Sequence, residues 1–216
     1  MKILALEFSA NERSVAVADK QVDGSTRVMS FVRETDFRGF TGLSIIDRAL
    51  GEAKIAPREV TRIAVGLGPG SYTGVRSAIA IAQGWQLGRN VELVGISSVT
   101  CLAEQARFLG LRGAVTIVVD AQREELYVAR YRVEESAVTQ VDGLRIAPPS
   151  EVRGTDLIIG AEATKLFPDG RDLAPSAEML ARLAARATNF TQGELLEPIY
   201  LRLSSFVKAP KPRSIE

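Results

Sequence analysis

The chain has 216 residues and a formal net charge of +1, with 46% hydrophobic and 25% charged residues. This length can bury the core of one domain or of two small lobes, and the composition is typical of a soluble globular protein. The small net charge provides no global field that would attract nucleic acid. The first apolar run is interrupted by Glu7 and is too short for a signal peptide or a membrane span, which predicts a cytoplasmic protein without membrane attachment.

The chain contains no histidine and one cysteine, Cys101. A single cysteine excludes an internal disulfide framework and fits a reducing compartment. Without imidazole there is no Ser–His or Cys–His nucleophile pair and no histidine-based metal site. We therefore predict no metal site, and an enzyme would have to use Asp, Glu, Lys, Cys or Tyr. Cys101 lies on the expected inner face of a helix, which predicts a buried thiol rather than a nucleophile.

Two stretches of the chain each begin with a strand hairpin and continue with helices. For the first stretch, residues 1–97, the pattern predicts strands at 2–8, 13–19 and 26–34, a strand within 60–70 that ends in glycines, a short strand over VELVGISS at 91–98, and helices at 43–55 and 72–87. For the second stretch, residues 98–216, it predicts strands at 114–121, 125–133 and 156–162, helices at 99–109 and 176–188, and a basic, proline-containing tail from about residue 204. The predicted fold is α/β with two lobes, each built on a mixed sheet flanked by helices.

The segment GLGPGSYTGVRSAIAIAQG, from Gly66 to Gly84, has the glycine content of a phosphate-binding loop. Its glycine spacing matches neither the Walker loop nor the dinucleotide fingerprint. The segment instead predicts a strand, a tight turn at Pro69–Gly70 and a helix capped by Ser71 or Thr73.

That helix carries small residues, and Gly74, Ala78 and Ala82 share one face. Three interpretations of this stripe remain open on the residues alone. It could pack inside the chain's own fold, it could face a partner, or the helix N-terminus could bind an anion.

Several segments resemble the TsaB family, also called YeaZ. They are ILALEFS at the start, GPGSYTGVR after a strand, GISSV before a helix, VVDAQREELYVARY in the middle and EPIYLR near the end. The resemblance covers nearly the whole chain in the same order. It implies the two-lobed fold of the actin, sugar-kinase and heat-shock-chaperone superfamily, which is the actin-like ATPase or ribonuclease H-like fold. It also implies a role in forming threonylcarbamoyladenosine beside the anticodon of tRNA.

The resemblance further implies an accessory subunit rather than an enzyme. In the family's pathway the related protein TsaD carries the catalytic metal and the transfer chemistry, TsaE is the ATPase, and TsaB is a scaffold. The expected partners are therefore TsaD in a heterodimer, TsaE, and a second copy of this chain when it is isolated, with tRNA reached only through the complex. No catalytic residue and no cofactor are expected. The predicted partner interface consists of Gly70, Ser71, Tyr72, Thr73, Gly74, Val75, Arg76, Ala78 and Ala82.

The superfamily's nucleotide site has counterparts at Glu7, Ser9, Asp120 and Gly160, and we interpret them as a degenerate site. The family usually has Asp where this chain has Glu7. The turn after Asp120 reads AQREE and contains no glycine, so side chains obstruct backbone approach to a phosphate. The segment LIIGAEA supplies only one glycine, Gly160. Glu7 and Asp120 are therefore predicted to be solvated carboxylates at strand ends.

Two basic features have open interpretations. Arg76 could form a local salt bridge or contact a partner or tRNA. The tail residues Lys208, Lys211 and Arg213 are expected to be solvated, with at most a weak attraction to phosphate.

Three functions from different classes are compatible with these residues. The first is the scaffold that activates TsaD. The second is an ATP-dependent kinase or carbamoyl transferase of the same superfamily, which the glycine-free turn disfavours. The third is a glycoprotease-like peptidase, which the absence of histidine makes the weakest.

Overall fold

A computed structural model describes residues 1–35, 42–152, 154 and 156–201. The predicted basic tail, with Lys208, Lys211 and Arg213, lies outside the described residues.

The first lobe is a five-stranded mixed sheet with two helices of its own. Its strands are β1 (Lys2–Glu7), β2 (Arg13–Lys20), β3 (Thr26–Glu34), β4 (Val60–Gly66) and β5 (Glu92–Ile96), and its helices are α1 (Gly42–Ala53) and α2 (Tyr72–Gly88). The spatial order is β3-β2-β1-β4-β5. The hairpin β1-β2-β3 is antiparallel, while β4 and β5 run parallel to β1.

The second lobe contains another five-stranded mixed sheet. Its strands are β6 (Gly113–Asp120), β7 (Leu126–Val133), β8 (Val138–Ala147), β9 (Leu157–Gly160) and β10 (Arg171–Asp172). The helices of this part of the chain are α3 (Ser98–Phe108), α4 (Ala163–Leu166) and α5 (Ala177–Arg186). The spatial order β10-β9-β6-β7-β8 again places the first strand between an antiparallel hairpin and two parallel strands. The two sheets therefore share one topology.

Strand β1 is buried on both faces, which explains its uninterrupted apolar sequence. Leu4 and Leu6 belong to the core cluster formed with α1 and α2, whereas Ile3 and Ala5 belong to the cluster on the opposite face. Because side chains alternate along a strand, a run without polar residues is required when both faces are covered.

Helix α5 covers that opposite face of the first sheet, although it lies late in the chain. Met179, Leu180 and Ala184 are buried in the same cluster as Ile3 and Ala5. The segment near residues 191–199 also returns to this lobe, since the backbone N–H of Thr191 donates to the carbonyl of Leu93. The predicted division at residues 97/98 separates the strands of the two sheets. That it is also a boundary between two folding units stays a prediction.

Strand β8 was not predicted from the sequence. It lies at the edge of the second sheet and is exposed along most of its length. Its sequence VTQVDGLRIA therefore lacks the apolar alternation of a half-buried strand.

In the described parts of the chain, no helix is long and apolar enough to cross a membrane.

Candidate functional site

The glycine-rich loop between β4 and α2 packs against the end of β1. A Cβ atom on Gly70 would overlap the carbonyl oxygen of Ser9, and one on Gly74 would overlap that of Phe8. The backbone N–H of Ser71 donates to the carbonyl of Ser9 at 2.7 Å. These glycines thus allow close approach of the chain's own backbone.

The predicted cap of α2 is confirmed at Ser71. Its Oγ accepts a hydrogen bond from the backbone N–H of Gly74 at 3.2 Å, which satisfies one of the free donors of the first turn.

The prediction that the Gly74, Ala78 and Ala82 stripe faces a partner is wrong. Ala78 and Ala82 are fully buried in the first lobe's own core, and Gly74 and Val75 are buried as well. The helical period turns this face toward β1 and α1, where small side chains let α2 lie close to the sheet. Close packing inside the fold is therefore the correct interpretation of the stripe.

The opposite face of α2 is exposed. It presents Tyr72, Thr73, Arg76 and Ala80, and the first three belong to the predicted interface. The other two predicted members, Gly70 and Ser71, are half-buried at the start of the helix.

This exposed face forms one wall of a groove of about 720 Å³, and the segment from Leu196 to Tyr200 forms the other. The rings of Tyr72 and Tyr200 stack with centroids 5.5 Å apart. The guanidinium of Arg76 lies 5.1 Å from the Tyr72 ring centroid and donates to its hydroxyl at 3.0 Å. The described contacts of Arg76 are thus with tyrosines, and they do not include the local salt bridge that was one of its two interpretations.

Glu7 is not the solvated carboxylate that the sequence predicted. Its side chain is fully buried, since β1 ends beneath the glycine-rich loop. Oε1 accepts from the backbone N–H of Ser9 at 2.8 Å, and Oε2 accepts from Ser98 Oγ at 2.9 Å. Gly66 provides the space for this side chain, because a Cβ atom at position 66 would overlap the Glu7 carboxylate. Burial raises the pKa of Glu7 above its usual value of 4.5, and the two serine hydrogen bonds only partly oppose this effect.

The structure brings two of the four predicted nucleotide-site residues into one cleft between the lobes. Ser9 and Asp120 line this cleft, which has a volume of about 580 Å³. Gly160 instead packs against the backbone of Val118. Asp120 is exposed, as predicted.

Glu162 also lines the cleft, and sequence reasoning missed it. Asn11 of the first lobe donates its side-chain N–H to Glu162 Oε1 at 3.4 Å, so the two residues connect the lobes. The position of Glu162 just after β9 could have identified it from the sequence, because strand ends carry the polar residues of such clefts.

The turn after Asp120 has left-handed backbone at three consecutive residues that are not glycine. Gln122, Arg123 and Glu124 have φ values of 61°, 58° and 62°. Each such residue costs about 1–2 kcal/mol relative to right-handed backbone. Asp120 stabilises the turn, since its two carboxylate oxygens accept from the backbone and side-chain N–H groups of Gln122 at 2.7 and 2.8 Å.

The residues that line the cleft between the lobes do not fit the magnesium-bound nucleotide that the fold class would suggest. Side chains of Gln122 and Arg123 stand at the cleft where a glycine turn would expose backbone N–H groups. Within the described residues, no group of three acidic, histidine or cysteine side chains could hold a metal ion.

Cys101 is buried, as the sequence predicted. It is fully inaccessible, and its Sγ donates to the carbonyl of Ser176 at 3.6 Å. Burial, together with the Glu7 carboxylate, raises its pKa well above 9.0, which leaves almost no reactive thiolate at neutral pH.

Cys101→Ala is expected to destabilise the chain by about 1 kcal/mol through lost packing and to leave its function unchanged. Urea denaturation measures the first effect and a tRNA modification assay the second. Loss of modification by a stably folded Cys101→Ala protein would contradict this assignment.

Two lobes with the same strand order, meeting at a cleft, define a protein of the actin-like ATPase fold class. The comparisons with known proteins then specify the family. The model of the family "TsaD: tRNA N6-adenosine threonylcarbamoyltransferase" matches residues 42–195. The chain is 29% identical to the Escherichia coli tRNA threonylcarbamoyladenosine biosynthesis protein TsaB, over 94% of this chain and 95% of that protein. It is 30% identical to the Bacillus subtilis protein of the same name, over 65% of this chain and 59% of that one.

Solved structures agree with these sequence comparisons. YeaZ from Pseudomonas aeruginosa superposes with a TM-score of 0.77 at 25% identity, covering 93% of this chain and 99% of that one. The chain belongs to the TsaB (YeaZ) family, within the wider group that the TsaD model describes.

Proposed function

We propose that this chain is a non-catalytic scaffold and activator that binds TsaD during formation of threonylcarbamoyladenosine in tRNA. The observation that carries the proposal is the turn after Asp120, where three side chains stand in place of a glycine-rich phosphate turn. The names of the curated relatives support the pathway, since they are called tRNA threonylcarbamoyladenosine biosynthesis proteins.

The exposed face of α2 is the surface that we assign to TsaD. It is uncharged apart from Arg76, and it presents Thr73, Ser77 and Ala80 at helical spacing, so a partner helix could approach it closely. The same face would pair two copies of the isolated chain. TsaE and tRNA would join through the complex rather than through this surface.

Ala80→Arg is expected to weaken binding to TsaD by at least tenfold, because a long charged side chain replaces a methyl group in the contact. A pull-down with TsaD from the same organism measures binding, and a modification assay with and without this chain measures activation. Ala137→Arg, in the exposed turn between β7 and β8, is the matched control and should bind normally. Normal binding by Ala80→Arg would mean that another surface meets TsaD.

The isolated chain is expected to bind ATP weakly or not at all, because the turn after Asp120 offers no free backbone cradle. Calorimetry with ATP and Mg²⁺ tests this expectation. A dissociation constant in the low micromolar range, equivalent to about 8 kcal/mol, would contradict it and would favour a kinase or carbamoyl transferase.

A further inference from the structure

A small pocket lies where α3 and α5 meet the turn between β2 and β3. It has a volume of about 120 Å³. Phe108, Met179 and Leu183 form its apolar wall, and residues 24–26 of the turn close one side. Because α5 covers the face of the first sheet opposite α2, the pocket lies on the other side of this lobe from the surface that we assign to TsaD.

The polar part of the lining is mainly basic. Among the described residues, three arginines and one carboxylate, that of Glu104, line the pocket. Arg182 and Arg186 are four residues apart on α5, so the helical period places them on one face. Arg107 comes from the last turn of α3. Guanidinium groups from two helices therefore converge on one cavity, and their planar forks of N–H donors suit an oxyanion.

Two of the three arginines already have an acidic partner. Arg107 Nε donates to Glu104 Oε2 at 2.9 Å, and Arg182 donates to Glu178 Oε1 at 2.9 Å. In the part of the chain that the structure describes, the exposed side chain of Arg186 has no carboxylate partner. The lining therefore keeps a net positive charge, and the apolar wall beside it strengthens the attraction for an anion.

An exposed aromatic ring lies beside these cations. Phe108 is 59% exposed, although it is large and apolar. The guanidinium of Arg182 lies 5.0 Å from its ring centroid. Single-stranded nucleic acids bind to surfaces of this kind, because a base stacks on the ring while cations hold the neighbouring phosphate.

We propose that this pocket binds a phosphate group of a single-stranded RNA. Arg107, Arg182 and Arg186 hold the phosphate, and a neighbouring base stacks on the ring of Phe108. Phosphate oxygens point in several directions and can accept from several guanidinium groups at once, whereas a planar carboxylate matches one guanidinium fork. The choice of RNA over a free phosphate rests in part on the proposed role in tRNA modification, but the phosphate site itself does not.

Fluorescence anisotropy with a short labelled single-stranded RNA tests the site on the full chain. Arg186→Ala should weaken binding about fivefold or more, and it should reduce the slope of log affinity against log salt by roughly 0.7, the value for one phosphate contact on a single strand. Because Arg186 is exposed, the urea midpoint should not change.

Arg58→Ala is the matched control, since Arg58 is an exposed arginine of the first lobe that does not line the pocket. It should bind the RNA as the parent does. Equal effects of Arg58→Ala and Arg186→Ala would show only general charge attraction and would overturn the assigned site.

Competition experiments identify the source of the phosphate. Inorganic phosphate should displace the RNA better than chloride at equal ionic strength, but more weakly than unlabelled RNA does. Phe108→Ser should weaken RNA binding about fivefold or more and leave the effect of inorganic phosphate unchanged. Inorganic phosphate that binds as tightly as RNA, with no effect of Phe108→Ser, would assign a free phosphate and overturn the RNA ligand. A glutamate-rich peptide that competes as well as RNA would indicate a carboxylate site and would overturn the proposal.

A pull-down with TsaD separates this proposal from the proposed function. Arg186→Ala should bind TsaD as the parent does, because the pocket and the exposed face of α2 lie on opposite sides of the first sheet. Loss of TsaD binding by Arg186→Ala would place Arg186 in the TsaD contact and would overturn the RNA site. If the parent does not bind TsaD but its RNA binding depends on Arg186, the phosphate site is supported and only the proposed function fails.

Discussion

Gly74→Ala is expected to destabilise the isolated chain by about 3 kcal/mol or more. The added methyl would overlap the carbonyl oxygen of Phe8 and would crowd Ser71 Oγ, the cap of α2. Backbone cannot move aside as a flexible side chain can, so the end of β1 or the first turn of α2 has to shift. Urea denaturation of the monomer measures the change.

Gly84→Ala is the matched control on the same helix. Gly84 is exposed, and a Cβ there would meet nothing within 4 Å. The same substitution should therefore stabilise the chain by roughly 0.5–1 kcal/mol, as alanine does in a helix interior. Equal effects at the two positions would mean that α2 does not lie against β1 as described.

The parent chain is expected to lose stability as the pH rises above about 4.5. Glu7→Gln is expected to lack this pH dependence, because the amide does not titrate. The folded state holds the Glu7 proton more tightly than the unfolded state, because burial raises the folded pKa. The free energy of unfolding therefore decreases between the unfolded and the folded pKa, by up to about 1.4 kcal/mol per pH unit. Above the folded pKa the loss is complete and the curve becomes level.

The amide of Gln at position 7 can make both contacts of the protonated acid. Its carbonyl accepts from the N–H of Ser9, and its N–H donates to Ser98 Oγ, which already accepts from the N–H of Gly68 at 3.2 Å. Urea denaturation from pH 4 to pH 8 compares the two proteins. Asp19, whose pKa is lowered to about 2 mainly by Lys2, contributes stability that is lost only as the pH falls below 3.8, so it does not overlap this window. Parallel curves for Glu7→Gln and the parent would contradict the buried acid.

Much of the fold could be predicted from local patterns. Strand β3 spans the predicted residues, α2 ends within a residue of its predicted bound, and the cap falls on one of the two predicted residues. These features depend on periodicity and on hydrogen bonds between near neighbours, which the sequence displays directly. Strand β8 was not predicted, because an exposed edge strand needs no apolar alternation.

The candidate site could be predicted only in part. Ser9 and Asp120 were expected at the degenerate nucleotide site and do line one cleft, but Glu162 was missed and Gly160 packs against Val118. A strand end can be read from the sequence, whereas the distance between two strand ends of different lobes depends on how the lobes meet.

The sequence by itself determined most of the helices and strands, the absence of histidine chemistry and the family resemblance, all of which follow from residue types and spacing. Only the tertiary structure decided which face of α2 is buried, that Glu7 is enclosed by Gly66 and Ser98, and that α5 returns to the first sheet. The physical reason is common to the three cases. Burial is a property of contacts between residues far apart in the chain, and a stripe of small residues or a carboxylate carries no local mark of what will cover it.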